Sequence, residues 1–105
     1  MELFVYGTLM DDFLVTELTG RRFRRSAAVL PGYGKTEPPG GYPYIAPTEG
    51  AHVDGFVLHD IDSAALRALD RYEDEGQLYR RVDVLVDVCG AAIAAMAYIG
   101  IAASR

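Results

Sequence analysis

With one cysteine, Cys89, the chain has no means of forming an internal disulfide, and no metal-ligand spacing surrounds that residue. No metal is expected, and this cysteine usage suits the cytoplasm and offers no sign of secretion. Basic residues are also scarce. Ten against fifteen acidic ones leave a net charge of −5, which repels a phosphate backbone and makes nucleic acid a poor partner. Long hydrophobic runs are missing too. The longest, Ala91 to Ala103, falls short of the roughly 20 residues that a membrane span needs. Glu2 stands where a signal peptide wants positive charge, and Asp11 and Asp12 cut off the apolar stretch that follows, so neither a targeting segment nor a membrane partner is expected.

Several catalytic and cofactor motifs are imitated and then fail. Gly34-Lys35-Thr36 looks like the end of a phosphate-binding P-loop, but Val29 occupies the position of its first glycine. Gly32-Tyr33-Gly34 opens like a dinucleotide fingerprint, yet Glu37 replaces the third glycine and a proline pair follows where a helix should begin. No cofactor is therefore expected. His52 and His59 bracket one predicted strand at an odd separation, which points them to opposite faces and excludes a metal pair. Ser26, Ser63 and Ser104 have no histidine or acid at a recognisable motif spacing, so a serine hydrolase lacks support.

What is present describes one globular domain, residues 1–105, half of it apolar and 24% charged. Glu2 to Tyr6 is an apolar run ended by Gly7, a buried strand feeding a glycine turn. Asp11 or Asp12 caps a short helix containing Phe13, Leu14 and Leu18, which Gly20 stops. A strand follows from Phe23 to Leu30, closed by Pro31-Gly32, and the arginines at its entry make either a solvated edge or an anion site. The segment from Pro31 to Gly50 holds all five prolines and reads as mostly loop, with a short strand at Tyr44-Ile45-Ala46. Val53 to His59 is a further strand. Asp60 or Asp62 then caps a helix that buries Ala65, Leu66, Leu69 and Tyr72 and ends near Glu73. Val82, Val84, Val86 and Val88 alternate with Asp83, Leu85 and Asp87 as a half-buried strand. Cys89-Gly90 turns the chain into Ala91 to Ile99, alanine-rich enough for a helix on propensity alone, where Tyr98, Ile99 and the flanking glycines favour the return strand of a hairpin.

Two features carry chemistry: the loop Tyr6-Gly7-Thr8-Leu9, and the helix end Leu69-Asp70-Arg71-Tyr72-Glu73 followed by Tyr79-Arg80-Arg81. With Tyr42-Pro43-Tyr44-Ile45-Ala46-Pro47 and Val53-Asp54-Gly55-Phe56-Val57 between them, the order of motifs resembles the gamma-glutamylcyclotransferase-like family, including its avirulence-induced-gene-like branch. The resemblance implies an α+β fold, a small mixed barrel-like sheet with about two packed helices, and a cavity between the first loop and the acidic helix end. It also implies cyclisation of a γ-glutamyl group, in which the substrate's own α-amine attacks the γ-carbonyl and releases 5-oxoproline and an amine. On it, Glu73 falls on the catalytic glutamate, Tyr6, Gly7, Thr8 and Leu9 on the loop that binds the γ-glutamyl moiety, and Tyr79 on a tyrosine near the cavity. Met10-Asp11-Asp12 departs from the basic, glycine-containing stretch of the family's gamma-glutamylamine branch, which speaks against γ-glutamylamines as substrates.

The chemistry asks for such parts independently. An α-amine with a pKa near 8 must lose a proton before it attacks, so a base within hydrogen-bond reach is required. A glutamate serves best with a raised pKa, and Glu73 has a helix C-terminus and the acids Asp70, Asp74 and Glu75 to raise it. Asp70 reads as a structural cap or as an ion-pair partner of Arg80 or Arg81, and those arginines read equally as structural or as partners of a substrate carboxylate. Tyr6, Tyr42 and Tyr44 are equally readable as core aromatics. The functional alternatives are a non-catalytic module that binds a small acidic metabolite, and an enzyme of the same fold that cleaves a different amide.

Overall fold

The computed structural model describes residues 1–40 and 43–100. Five strands form a closed barrel: β1 (Leu3–Val5), β2 (Arg25–Thr36), β3 (Tyr44–Leu58), β4 (Tyr79–Val88) and β5 (Ala91–Gly100), ordered β1-β3-β2-β4-β5. A 3₁₀ turn (Gly7–Met10) and helix α1 (Asp12–Thr19) follow β1, and helix α2 (Ser63–Glu73) links β3 to β4. All neighbouring strands are antiparallel except β1 and β5, which close the barrel in parallel through Leu3 and Met96.

The alternation of side chains sorts the apolar residues into two cores. Phe4, Ala28, Leu30, Ile45, Val57, Val86 and Ala97 fill the barrel, while Leu3, Val5, Leu58 and Tyr98 face outward and meet Val15, Ala65 and Leu69 of the helices. Both faces of β1 are thus covered, which explains its continuous Leu-Phe-Val run. Each valine, leucine, isoleucine or phenylalanine among them, taken fully out of water, contributes about 1.5–3 kcal/mol.

The helix boundaries follow the predicted caps. The Asp11 carboxylate accepts from the Phe13 N–H at 3.0 Å, Gly20 ends α1 in the left-handed region, and Asp62 accepts from the Ala65 N–H at 2.7 Å. Along α1, however, Val15 is the buried residue and Phe13 is exposed. In α2, Ala65 and Leu69 are buried and Leu66 is partly so, whereas Tyr72 is 42% exposed and does not belong to the buried face. The Cys89-Gly90 turn has positive φ at both residues, the geometry that matches the twist of the β4–β5 hairpin.

One expectation is overturned. The segment from Pro31 to Gly50 is mainly strand: β2 continues through Pro31-Gly32 to Thr36, and Tyr44 to Leu58 is one strand instead of two. Past Val29, β2 pairs with β3 alone, so a missing proline N–H interrupts no second ladder. The register shift between Pro31 and Tyr33 then absorbs the irregularity at Gly32. Of the prolines, only Pro38, Pro39 and Pro43 lie outside the strands. Tyr42 lies outside the described residues.

The arginines at the entry to β2 are ion-paired. Arg21 pairs with Asp62, Arg22 with Asp12 at 2.7 Å and Arg25 with Asp12 at 3.3 Å, and Arg25 also donates to the Met10 carbonyl at 2.6 Å. These contacts tie the barrel to the helices. The Asp12 and Asp62 carboxyls are held below the usual range, Asp12 chiefly by Arg22 and Asp62 chiefly by its capping bond from Ala65, with Arg21 adding to it.

Candidate active site

β1 ends at Val5, and Gly7, at φ +71°, turns the chain into the 3₁₀ turn. Only a residue without a Cβ takes that conformation at no cost. α2 ends at Glu73 because Asp74 adopts the left-handed conformation, with its N–H bonded back to the Arg71 and Asp70 carbonyls. Since α1 and α2 pack together outside the barrel, the end of α2 comes to lie opposite the start of the turn.

A cavity of about 310 Å³ lies between them. Its walls are the end of β1 and the turn (Phe4 to Leu9), the end of α2 (Tyr72 and Glu73), and Pro43, Leu78, Tyr79 and Tyr98. Every residue singled out for this site, namely Tyr6, Gly7, Thr8, Leu9, Glu73 and Tyr79, therefore borders one space. Leu9 is also buried in the core between barrel and helices, so its side chain supports the wall. Phe4, Tyr72, Leu78 and Tyr98 were not anticipated as lining. Tyr72 and Leu78 flank Glu73 and Tyr79 in sequence, but only the fold shows that they face the cavity.

A hydrogen-bonded chain braces this wall. The Tyr6 hydroxyl donates to the Tyr98 carbonyl, and the Tyr98 hydroxyl donates to the Asp70 carboxylate at 2.6 Å. Arg81 grips the same carboxylate through Nε at 3.0 Å and Nη2 at 3.2 Å. Asp70 is thus the ion-pair partner of Arg81, while Arg80 is exposed. Tyr79 donates to the Pro43 carbonyl at 2.5 Å, and the Tyr72 hydroxyl donates to Thr8 Oγ1 at 3.3 Å, a bond that spans from α2 to the turn. Burial pushes the Tyr6 and Tyr98 hydroxyls well above the usual tyrosine range, so both remain protonated donors.

Glu73 differs from its acidic neighbours. Its side chain is largely enclosed, no hydrogen bond or ion pair engages it among the described residues, and burial alone pushes its carboxyl up to about 7. The nearby acids expected to assist are not the cause. Asp70 is occupied by Arg81 and Tyr98, and Asp74 and Glu75 are exposed. Among the described lining residues there is no lysine, arginine or histidine. Nor, among the described residues, do three metal-ligating side chains cluster anywhere.

A second polar cluster occupies the other end of β1. Ser26 Oγ lies 2.8 Å from His59 Nε2, and His59 Nδ1 is bonded to the Glu2 carboxylate. Sequence spacing hid this chain because its members come from three strand ends. It does not line the cavity, whereas His52 is solvent-facing beside Asp54. No helix among the described residues is long and apolar enough to cross a membrane.

Comparison with known proteins agrees with the geometry. The model of the family "Gamma-glutamyl cyclotransferase, AIG2-like" matches residues 3–104. AIG2-like protein D of Arabidopsis thaliana is 36% identical over 85 residues, covering 80% of this chain and 56% of that protein. AIG2-like protein A of the same plant is 36% identical over 83 residues, covering 78% and 49%. The chain thus spans about half the length of the curated relatives it matches. A solution structure from Arabidopsis thaliana superimposes with a TM-score of 0.83 at 31% identity, covering 95% of this chain and 68% of the other. A gamma-glutamyl cyclotransferase shares the fold, with a TM-score of 0.76 at 17% identity and coverage of 95% and 66%. A small barrel with two packed helices, matched by the family model along nearly its whole length, makes this chain a member of the AIG2-like gamma-glutamyl cyclotransferase family.

Proposed function

We propose that the chain is a cyclotransferase that cleaves a γ-glutamyl amide. In this reading the Glu73 carboxylate accepts a proton from the substrate's α-ammonium group, and the freed amine attacks the γ-carbonyl carbon. A carbon–nitrogen bond forms and the carbonyl oxygen takes the negative charge. When the tetrahedral intermediate collapses, Glu73 gives its proton to the original amide nitrogen as the bond from that nitrogen to carbon breaks. The attacking nitrogen, which still carries an extra proton, loses it through the regenerated Glu73 carboxylate to the departing amine, which leaves as an ammonium. The products are 5-oxoproline and a free amine. The nucleophile belongs to the substrate, so no serine or cysteine nucleophile is needed.

The observation that carries this reading is an enclosed, unpaired carboxylate bordering the same cavity as the Gly7 turn. A pKa of about 7 suits a group that must take up and return a proton near neutral pH. The first N–H groups of the 3₁₀ turn have no partner within it and provide donors for a carboxylate or a developing oxyanion. The hydroxyls of Thr8, on the turn, and Tyr72, at the end of α2, also border the cavity. A module that merely holds an acidic metabolite has no use for a carboxylate at its centre and would need a cation, which the described lining lacks.

Replacing Glu73 with Gln keeps shape and hydrogen bonding but cannot accept the amine proton. Release of 5-oxoproline, followed across a panel of γ-glutamyl dipeptides and amides, should fall by about 10²–10⁴. A Glu73→Gln protein within a few-fold of the wild type on its best substrate would remove Glu73 from the mechanism.

A further inference from the structure

Resting on the cyclotransferase reading, we propose that the group carried on the substrate's γ-amide nitrogen is uncharged and apolar, and that Tyr72 and Leu78 select it. The γ-glutamyl end needs the turn and Glu73, so the rest of the substrate projects through the open side of the cavity. Two large apolar side chains border that side and stay in water: Leu78 is 49% exposed and Tyr72 is 42% exposed. Neither is recruited by the core clusters. Exposed apolar residues at the mouth of a mainly apolar cavity are a place for an apolar ligand group to be buried.

The charge distribution points the same way. A γ-glutamyl dipeptide carries a carboxylate on its leaving group, and that carboxylate meets no basic side chain among the described lining residues. A leaving group with a distal ammonium, such as a lysine side-chain amide, finds there no carboxylate other than Glu73, which is engaged with the α-amine. In either case a charge loses water and gains no partner. The acidic stretch Met10-Asp11-Asp12 spoke against γ-glutamylamines as a class, but it does not set specificity. Asp11 caps α1, Asp12 is held by Arg22 and Arg25, and none of the three lines the cavity.

The test compares γ-glutamyl-benzylamide, γ-glutamylglycine and γ-glutamyl-ε-lysine, read as kcat/KM for 5-oxoproline release. The benzylamide should lead by about tenfold or more, as expected for burying one aromatic group. Leu78→Lys, a change at an exposed position, should lower turnover of the benzylamide and raise that of γ-glutamylglycine, reversing or erasing the order. Equal rates for the three, or a lead for either charged compound, overturns the inference while leaving the cyclotransferase reading intact. Should none release 5-oxoproline, that reading fails, and calorimetric binding of the same compounds to Glu73→Gln decides the specificity question alone. Tighter binding of the benzylamide supports an apolar mouth, and equal or weaker binding refutes it.

Discussion

One carboxyl, that of Glu73, links stability to the proposed chemistry. Buried without a partner, it keeps its proton up to about pH 7 in the folded chain, against 4.5 in the absence of the fold. Between these values the native state binds more protons than the unfolded one, so stability falls as pH rises through this window and then levels off. Glu73→Gln should flatten that dependence and give a higher Tm than the wild type at pH 8, with little difference at pH 4. Parallel melting curves at both pH values would contradict the burial argument. On the proposed mechanism activity has the opposite sign, because the base must be ionised: it should rise with pH towards about 7, and a profile flat from pH 5 to 8 at constant substrate binding would rule this out. Two glycines are just as specific. A Cβ at Gly7 meets nothing within 4 Å, yet its φ of +71° strains any L side chain, so Gly7→Val should abolish 5-oxoproline binding, at a modest cost in folding. At Gly55 a Cβ would sit 2.2 Å from the Val5 carbonyl oxygen and 2.8 Å from the Phe4 ring. Gly55→Ala should therefore cost about 1–3 kcal/mol or more in denaturant unfolding, since β1 cannot back away from a closed barrel.

Among the elements, α2 carries the proposed base, and one carboxylate anchors its last turn. Asp70 is gripped by Arg81 of β4 and Tyr98 of β5, which holds the helix end against the barrel one turn before Glu73. Asp70 is a positioning residue in this view. Asp70→Asn should lower kcat and move the midpoint of the pH profile down towards an ordinary glutamate value, because a loosened helix end admits water to Glu73. A loss of Tm with the midpoint unmoved would reduce Asp70 to a purely structural role. The helix itself was legible from Asp62, its apolar spacing and the position of Glu73, because caps and amphipathic periodicity are local signals. The β2–β3 hairpin was not. Its prolines and glycines read as loop until the partner strand is known, and an arm with one open edge tolerates them.

At the scale of the whole molecule, barrel closure decides which residues meet. The end of β1 at Glu2 joins the starts and ends of other strands through His59 and Ser26, while the end at Tyr6 opens on the cavity. Removing the central imidazole leaves two half-buried polar groups without their partner, so His59→Ala should lower stability by about 1 kcal/mol while leaving 5-oxoproline release near the wild-type rate. Loss of release without loss of stability would give this cluster a chemical role. Sequence alone determined the elements whose signals are local: the apolar β1 run, two helices each capped by one of a pair of aspartates, the alternating valines of β4 and the turn at Cys89-Gly90. Through motif order it also determined the family and the candidate base. Only the tertiary structure decided that burial, not neighbouring acids, raises Glu73, that Asp70 belongs to Arg81, that Tyr72 and Leu78 border the cavity, and that Ser26 has a histidine. Desolvation and hydrogen-bond partnership depend on residues distant in the chain, and their proximity is set by closing a sheet on itself.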